Sequence, residues 1–231
     1  MSLPRTGRVI FFLTITVIAV AQAAQQSSSS SSKHTKTSSA RLVPDVDAGT
    51  VANGVYRNRA LGLACKIPPG WVLRTEEMNA REDDSTPKEE SRAALDRTAG
   101  GGCPRTSCGR VLLAAFSRPP EAKGEDVNAS IMIAAEPVAT YPGLKEAAQY
   151  FGPLAEVAKA QGFVVDEEPY EAQIGNKVVE RGDFHKDVGS RVMRQSTLAF
   201  LAQGYAVSIT VIGGTEDEVE ELVDGVGFVG K

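Results

Sequence analysis

Apolar and polar residues alternate along this chain in short blocks. The first clear block is Leu61, Leu63, Cys65 and Ile67, whose spacing of two places all four on one face of a strand. Pro68-Pro69-Gly70 ends it, because proline has no N–H to give to a ladder. Trp71, the only tryptophan, reads as a core anchor beneath that turn. Arg110 to Ser117 and Ala129 to Glu136 are almost continuously apolar, as strands covered on both faces are. Leu144, Ala147, Ala148, Phe151, Ala155 and Ala158 recur at helical spacing until Gly162. Pro153 interrupts that run, so a kink or break is expected around Gly152-Pro153.

The last third reads as strands joined by tight turns. Gly175-Asn176 separates Glu171 to Ile174 from Lys177 to His185, and Gln203-Gly204 separates Arg191 to Leu201 from Tyr205 to Ile212. In the latter strand Tyr205, Val207, Ile209 and Val211 alternate with Ala206, Ser208 and Thr210, which defines one buried face. Thr215 with Glu218 forms a capping box opening an amphipathic helix whose inner side carries Val219, Leu222 and Val223. Phe228 is expected to fold the tail back onto the sheet. Between the first strands, Glu76 to Asp96 is polar, and Thr86-Pro87-Lys88-Glu89 predicts a short exposed helix from Pro87 to about Arg97. Strands covered on both faces call for helices on both sides of the sheet.

The N-terminus has a different pattern. Arg5 and Arg8 precede an uncharged run from Val9 to Ala21, and small residues flank Gln22, the layout of a cleavable secretory signal at residues 1 to 23. A spanning helix needs about 20 apolar residues, which this run does not reach. An uncleaved anchor is the alternative. No cysteine stands near the cleavage point to be acylated. From Ala24 to Ala40, ten of 17 residues are Ser or Thr, so residues 24 to 53 are taken as a flexible linker that cannot offset its ordering entropy by burial. Residues 54 to 231 form a single domain of ordinary length.

Composition narrows the chemistry. Formal charge is -4 and becomes -6 once Arg5 and Arg8 are removed, and aromatic residues are 6% of the chain; nucleic acid would need a basic face. Of the two histidines, His34 lies in the linker and His185 in the domain near a strand end, where it reads as a surface residue. Asp45-Val-Asp47-Ala-Gly49 and Glu82-Asp83-Asp84 lack the spaced later ligands of a calcium loop, so both read as solvated surface. No nucleophile elbow, phosphate loop or zinc-protease helix is present in the sequence, and no cofactor is called for. Asn128-Ala-Ser130 fits a glycosylation acceptor. Trp71, Tyr141, Tyr150 and Tyr170 are the aromatics that a ligand pocket would have to collect.

Certain residues carry a likeness: Tyr56 with Asn58, Leu61-Gly-Leu63, then Ile67-Pro-Pro-Gly-Trp71, a mid-chain helix, and a closing Gly204-Tyr205 strand with a capped helix ending in Phe228. This resembles the PsbP-like family, over residues 56 to 228. The resemblance implies an α+β fold, an antiparallel β-sheet sandwiched between helices (an α/β/α sandwich). It implies no reaction. Family members that bind manganese or calcium do so through histidine and carboxylate positions, and His185 does not match such a motif, so no metal ligand is carried over.

Three cysteines leave one odd. Cys103 and Cys108 stand close in a glycine-rich loop, and the preferred reading pairs them as a disulfide with Cys65 buried and inert. Pairing of Cys65 with either is the competing reading, and a redox role is the sharper alternative. The function expected is an exported, non-catalytic binding or accessory module, secreted or periplasmic, contacting another envelope protein or a small molecule. It would bind no nucleic acid and make no stable membrane insertion after signal cleavage. The alternatives are a secreted hydrolase or thiol-redox enzyme, and a stalked surface protein held by its N-terminus.

Overall fold

The structure is a computed structural model that describes residues 46–85, 109–122, 124 and 126–228. The expected signal peptide, most of the linker, the helix at 87–97 and both Cys103 and Cys108 lie outside the described residues. A small sheet contains β1 (Thr50–Ala52), β2 (Val55–Asn58), β3 (Leu63–Lys66) and the closing strand β12 (Val226–Phe228), in the order β1-β2-β3-β12. A large one contains β4 (Val72–Leu73), β5 (Arg110–Phe116), β6 (Ser130–Pro137), β7 (Val164–Val165), β8 (Tyr170–Ile174), β9 (Lys177–Val188), β10 (Arg191–Ala202) and β11 (Tyr205–Gly213). Its order is β4-β5-β6-β11-β10-β9-β7, and β8 also pairs with β9. Every ladder among the described residues is antiparallel. Among the described residues the helices are α1 (Thr75–Ser85), α2 (Ala147–Ala160) and α3 (Glu216–Asp224), and a 3-10 turn spans Val138–Thr140.

Among the described residues the fold is mostly antiparallel sheet with few helices. On one face of the large sheet, Ile131, Ile133, Leu198, Phe200, Val207 and Ile209 bury against Leu63 and Cys65 of the small sheet and against Val219, Leu222 and Val223 of α3. On the other, Phe184, Ala199 and Ala206 pack beneath Tyr150, Phe151 and Ala158 of α2. The second sheet forms because β3 and β12 pair with each other, Cys65 opposite Val226. Their apolar side is then buried only as a separate layer.

The Tyr56 and Asn58 pair holds the start of this layer. Asn58 is 1% exposed; its amide donates to the Asp47 carbonyl at 2.6 Å and its carbonyl accepts from the Leu61 N–H at 3.0 Å. The Tyr56 hydroxyl donates to Ala48 O at 3.1 Å. Buried polar groups satisfied in this way tie residues 46 to 49 to the body. Val46 is buried and β1 pairs with β2, so residues 46 to 53, which the sequence assigned to the linker, belong to the folded part.

From Val111 to Ala115, β5 is buried throughout, as its sequence predicts, yet it lies beside the sheet edge. β4 covers only two of its residues. Beyond them α1 takes over: Thr75 Oγ1 accepts from the Ala114 N–H at 2.9 Å, while the Asn79 carboxamide accepts from Val111 N and donates to Val111 O at 3.0 and 2.9 Å. A side-chain amide thus stands in for the next strand and blunts the edge. Sequence pattern put the first helix later, at residues 87 to 97, because α1 is anchored through polar contacts and not by an apolar stripe.

Helix α2 runs through Pro153 without a break. The bond that proline removes belongs to the Gln149 carbonyl, and Gln149 is exposed, where water replaces the lost donor. Helix α3 opens at Thr215, whose Oγ1 accepts from Glu218 N at 3.1 Å, but the Glu218 carboxylate accepts from Gly214 N at 2.7 Å instead of from Thr215 N, so only half of the expected capping box forms. The Gln203-Gly204 hairpin closes with both residues in the left-handed region, φ 53° and 82°.

Candidate functional site

Strand β6 ends at Glu136 and Pro137, and the chain then turns through Val138–Thr140 into α2. Glu136 lies on the α2 side of the sheet, opposite Ala206 of β11. Room for its side chain comes from Gly109 on the neighbouring segment, where a Cβ would stand 2.7 Å from Glu136 Cγ. Two tyrosines converge on this carboxylate. The Tyr150 hydroxyl, from the first turn of α2, donates to Oε1 at 2.9 Å, and the Tyr141 hydroxyl donates to Oε2. The two rings meet edge to face, centroids 5.2 Å apart.

Outside this triad lies an open cleft of about 430 Å³, walled by Tyr141, Pro142, Leu144, Gln149, Tyr150 and Pro153. Burial first, and then the hydrogen bond to Glu136, raises the Tyr141 hydroxyl pKa above the ordinary phenol value. For Tyr150 burial again leads, followed by the negative charge of Glu136. Both phenols therefore stay protonated and act as donors to Glu136, each of whose oxygens accepts one of them. The result is a rigid aromatic wall with its polar atoms satisfied. Gln149 Oε1 accepts from the Lys145 and Glu146 N–H groups at 2.8 and 3.3 Å, which turns its NH₂ to other partners.

Of the four aromatics singled out in the sequence, the structure brings together Tyr141 and Tyr150. Trp71 packs half-buried against the core on the other face. Tyr170 donates to Asp183 at 2.8 Å beside Arg181, and burial together with that bond pushes its hydroxyl pKa up to about 12. Glu136 was missed in the sequence. Its signal was there, as the lone acid inside the apolar run of β6, but nothing local says that residues 141 and 150 turn back onto it.

The remaining candidates are placed as follows. Cys65 is a free, fully buried thiol, and burial pushes its pKa up to about 12, the opposite of what a nucleophilic thiol requires. His185 is half-exposed within β9, and its Nδ1 meets Asp166 Oδ1. Among the described residues no cluster of three His, Cys, Asp or Glu side chains is placed to hold a metal, and no helix is long and apolar enough to cross a membrane. Asn128, the proposed glycan acceptor, has its carboxamide engaged at both ends: it accepts from Ser117 and Arg118 and donates to Arg118 O. Asp47 accepts from Gly49 N at 3.0 Å, a local turn and not part of an ion loop.

No family model matches the chain, and no curated protein does either. Among solved structures it is similar to LpqN, described as involved in cell envelope biogenesis of Mycobacterium tuberculosis, with 11% identity and a TM-score of 0.35 over 73% of this chain and 83% of that one. A match at that score transfers neither a site nor a role.

Proposed function

We propose that this protein is an exported, non-catalytic binding module and that the Tyr141 cleft is where it grips a segment of another envelope protein. The reading rests on one observation: a carboxylate with both oxygens engaged by tyrosine hydroxyls, holding an aromatic ring rigid at the lip of an open cleft. A ring fixed in advance loses little conformational freedom on binding, which is why tyrosine is favoured at recognition surfaces. Burial and the nearby carboxylate keep both phenols protonated, and each Glu136 oxygen accepts one of their hydroxyls, an arrangement that fixes the rings in place. An apolar side chain of the partner would sit among Tyr141, Leu144 and Pro153, with the Gln149 NH₂ meeting a backbone carbonyl.

Export by the segment at residues 1 to 23, a serine-rich tether, the PsbP-type description of the fold and a Cys103 to Cys108 disulfide belong to the same proposal. Two sheets with helices α2 and α3 on opposite sides of the larger one support the fold description, and the buried, unpaired Cys65 supports the pairing of the other two thiols. Peptide mapping without reduction checks the disulfide: a peptide joined through Cys65 would refute it.

A photo-crosslinker at Gln149 in the native compartment tests the cleft. One discrete adduct, lost at least tenfold on Tyr141→Ala and kept on Tyr170→Phe, is expected. An adduct pattern indifferent to Tyr141 would sink the assignment. A second reading, acid–base chemistry, draws on the His185 and Asp166 pair alone. Loss of a hydrolytic activity in His185→Gln, with the crosslink intact, would favour that reading.

A further inference from the structure

The two sheets part at one end of the molecule. There the connection after β2, the β8–β9 turn, the β10–β11 turn and the last strand border a solvent-open cavity of about 370 Å³, with Leu61, Asn176, Lys177, Ala202, Gln203 and Phe228 in its wall. That volume falls within the roughly 300–1,000 Å³ of small-molecule sites. The wall is largely apolar, and its one charged group is Lys177.

Lys177 is held in an unusual way. Its Nζ lies 3.7 Å from the centroid of Phe200 and 4.6 Å from that of Phe228, two rings that meet edge to face at 5.1 Å. Aromatic faces attract the charge but are only weak acceptors for its N–H groups. No hydrogen bond or ion pair to the Lys177 ammonium is made among the described residues, in contrast to Lys159, whose Nζ pairs with Glu156 at 3.2 Å. Burial lowers its pKa from the ordinary lysine value, as an ammonium lacking a counter-charge requires. The flanking side chains, Asn176 and Gln203, are both carboxamides able to donate, and both are exposed at turns.

We infer that this seam cavity is a second binding site, for a small molecule with an apolar body and a single carboxylate. The carboxylate pairs with Lys177 and accepts from Asn176 or Gln203, while the apolar body lies along Leu61, Ala202 and Phe228. A carboxylate supplies the acceptors that the two rings lack, and pairing in a partly desolvated wall is stronger than at open surface. The inference is independent of the Tyr141 cleft, which lies on the other side of the large sheet.

Octanoate is the probe, with octan-1-ol as its uncharged counterpart, titrated into the full chain and followed by backbone amide resonances. Saturable octanoate shifts at residues 60–62, 176–177 and 202–203 are expected, with octan-1-ol at least tenfold weaker. Lys177→Met, which keeps the apolar stem, should weaken octanoate at least tenfold, and Lys177→Arg should retain it. Gln203→Glu at the exposed turn places a repelling carboxylate at the mouth without touching the core, and should weaken octanoate to the same degree. Equal affinity for the alcohol, binding unchanged by Lys177→Met and Gln203→Glu, shifts gathered at the Tyr141 cleft, or no saturable shift would each overturn the inference.

Discussion

The two faces of the large sheet are made from the same strands and are unlike. Toward the small sheet, β10 and β11 present Leu198, Phe200, Tyr205, Val207, Ile209 and Val211, all within a continuous apolar core. Toward α2 the same strands present Met193, Leu201 and Ile212 at their ends and Gln195, Thr197, Ala199, Ala206, Ser208 and Thr210 between them. Gln195, Thr197 and Ser208 are buried there all the same, at 8%, 2% and 7% exposure, and Gln195 Nε2 and Thr210 both lie 3.2 Å from Thr197 Oγ1. One face is held by a large apolar core, the other by a smaller apolar cluster around Tyr150, Phe151, Phe163 and Phe184 together with hydroxyl and amide bonds. Burial of large aliphatic groups contributes more free energy per residue than such polar contacts do. The core between the sheets is therefore the main support of the fold, and the α2 face, where the Tyr141 cleft lies, is the more weakly held.

That contrast can be broken residue by residue. Leu198→Ala, in the core between the sheets, should destabilise most, by about 3 kcal/mol in denaturant unfolding. A loss under about 1 kcal/mol would mean this face is not the main support. Gly182→Ala comes next. Its new Cβ would stand 2.5 Å from Phe151 Cε1, so α2 must lift, with a cost of about 2 kcal/mol and displaced Tyr141 and Tyr150 resonances. Unmoved resonances would show that α2 is not seated on Gly182.

Thr197→Val keeps the shape and removes the hydroxyl shared with Gln195 and Thr210, and should reduce stability by about 1 kcal/mol. If it raises stability instead, the polar bonds on the α2 face are not what holds it. The smallest effect has the opposite sign. Ser196 is fully buried on the apolar side and its hydroxyl has no hydrogen-bond partner among the described residues, so Ser196→Ala should raise the unfolding free energy by about 0.5 kcal/mol. A fall would reveal a bond to that hydroxyl.

Much of this was legible along the chain. The hairpins at Gly175-Asn176 and Gln203-Gly204 and the helix cap at Thr215 are local, since turn and cap chemistry act over a few residues. Helix α1 was not legible, because Thr75 and Asn79 act through the backbone of β5, more than 30 residues away in sequence. Nor was the second sheet, since a run such as Leu61 to Ile67 says that it is a strand but not which layer it joins. Of the candidate cleft, Tyr141 and Tyr150 were visible as residues, while the carboxylate that fixes them was not.

By itself the sequence determined where strands and turns fall and which side of each strand is apolar, because backbone geometry repeats every two residues wherever the strand is placed. Only the tertiary structure decided that Glu136 meets two tyrosines and that Lys177 rests on Phe200 and Phe228. Those contacts join residues distant along the chain, and their geometry comes from how layers pack, which no local pattern encodes.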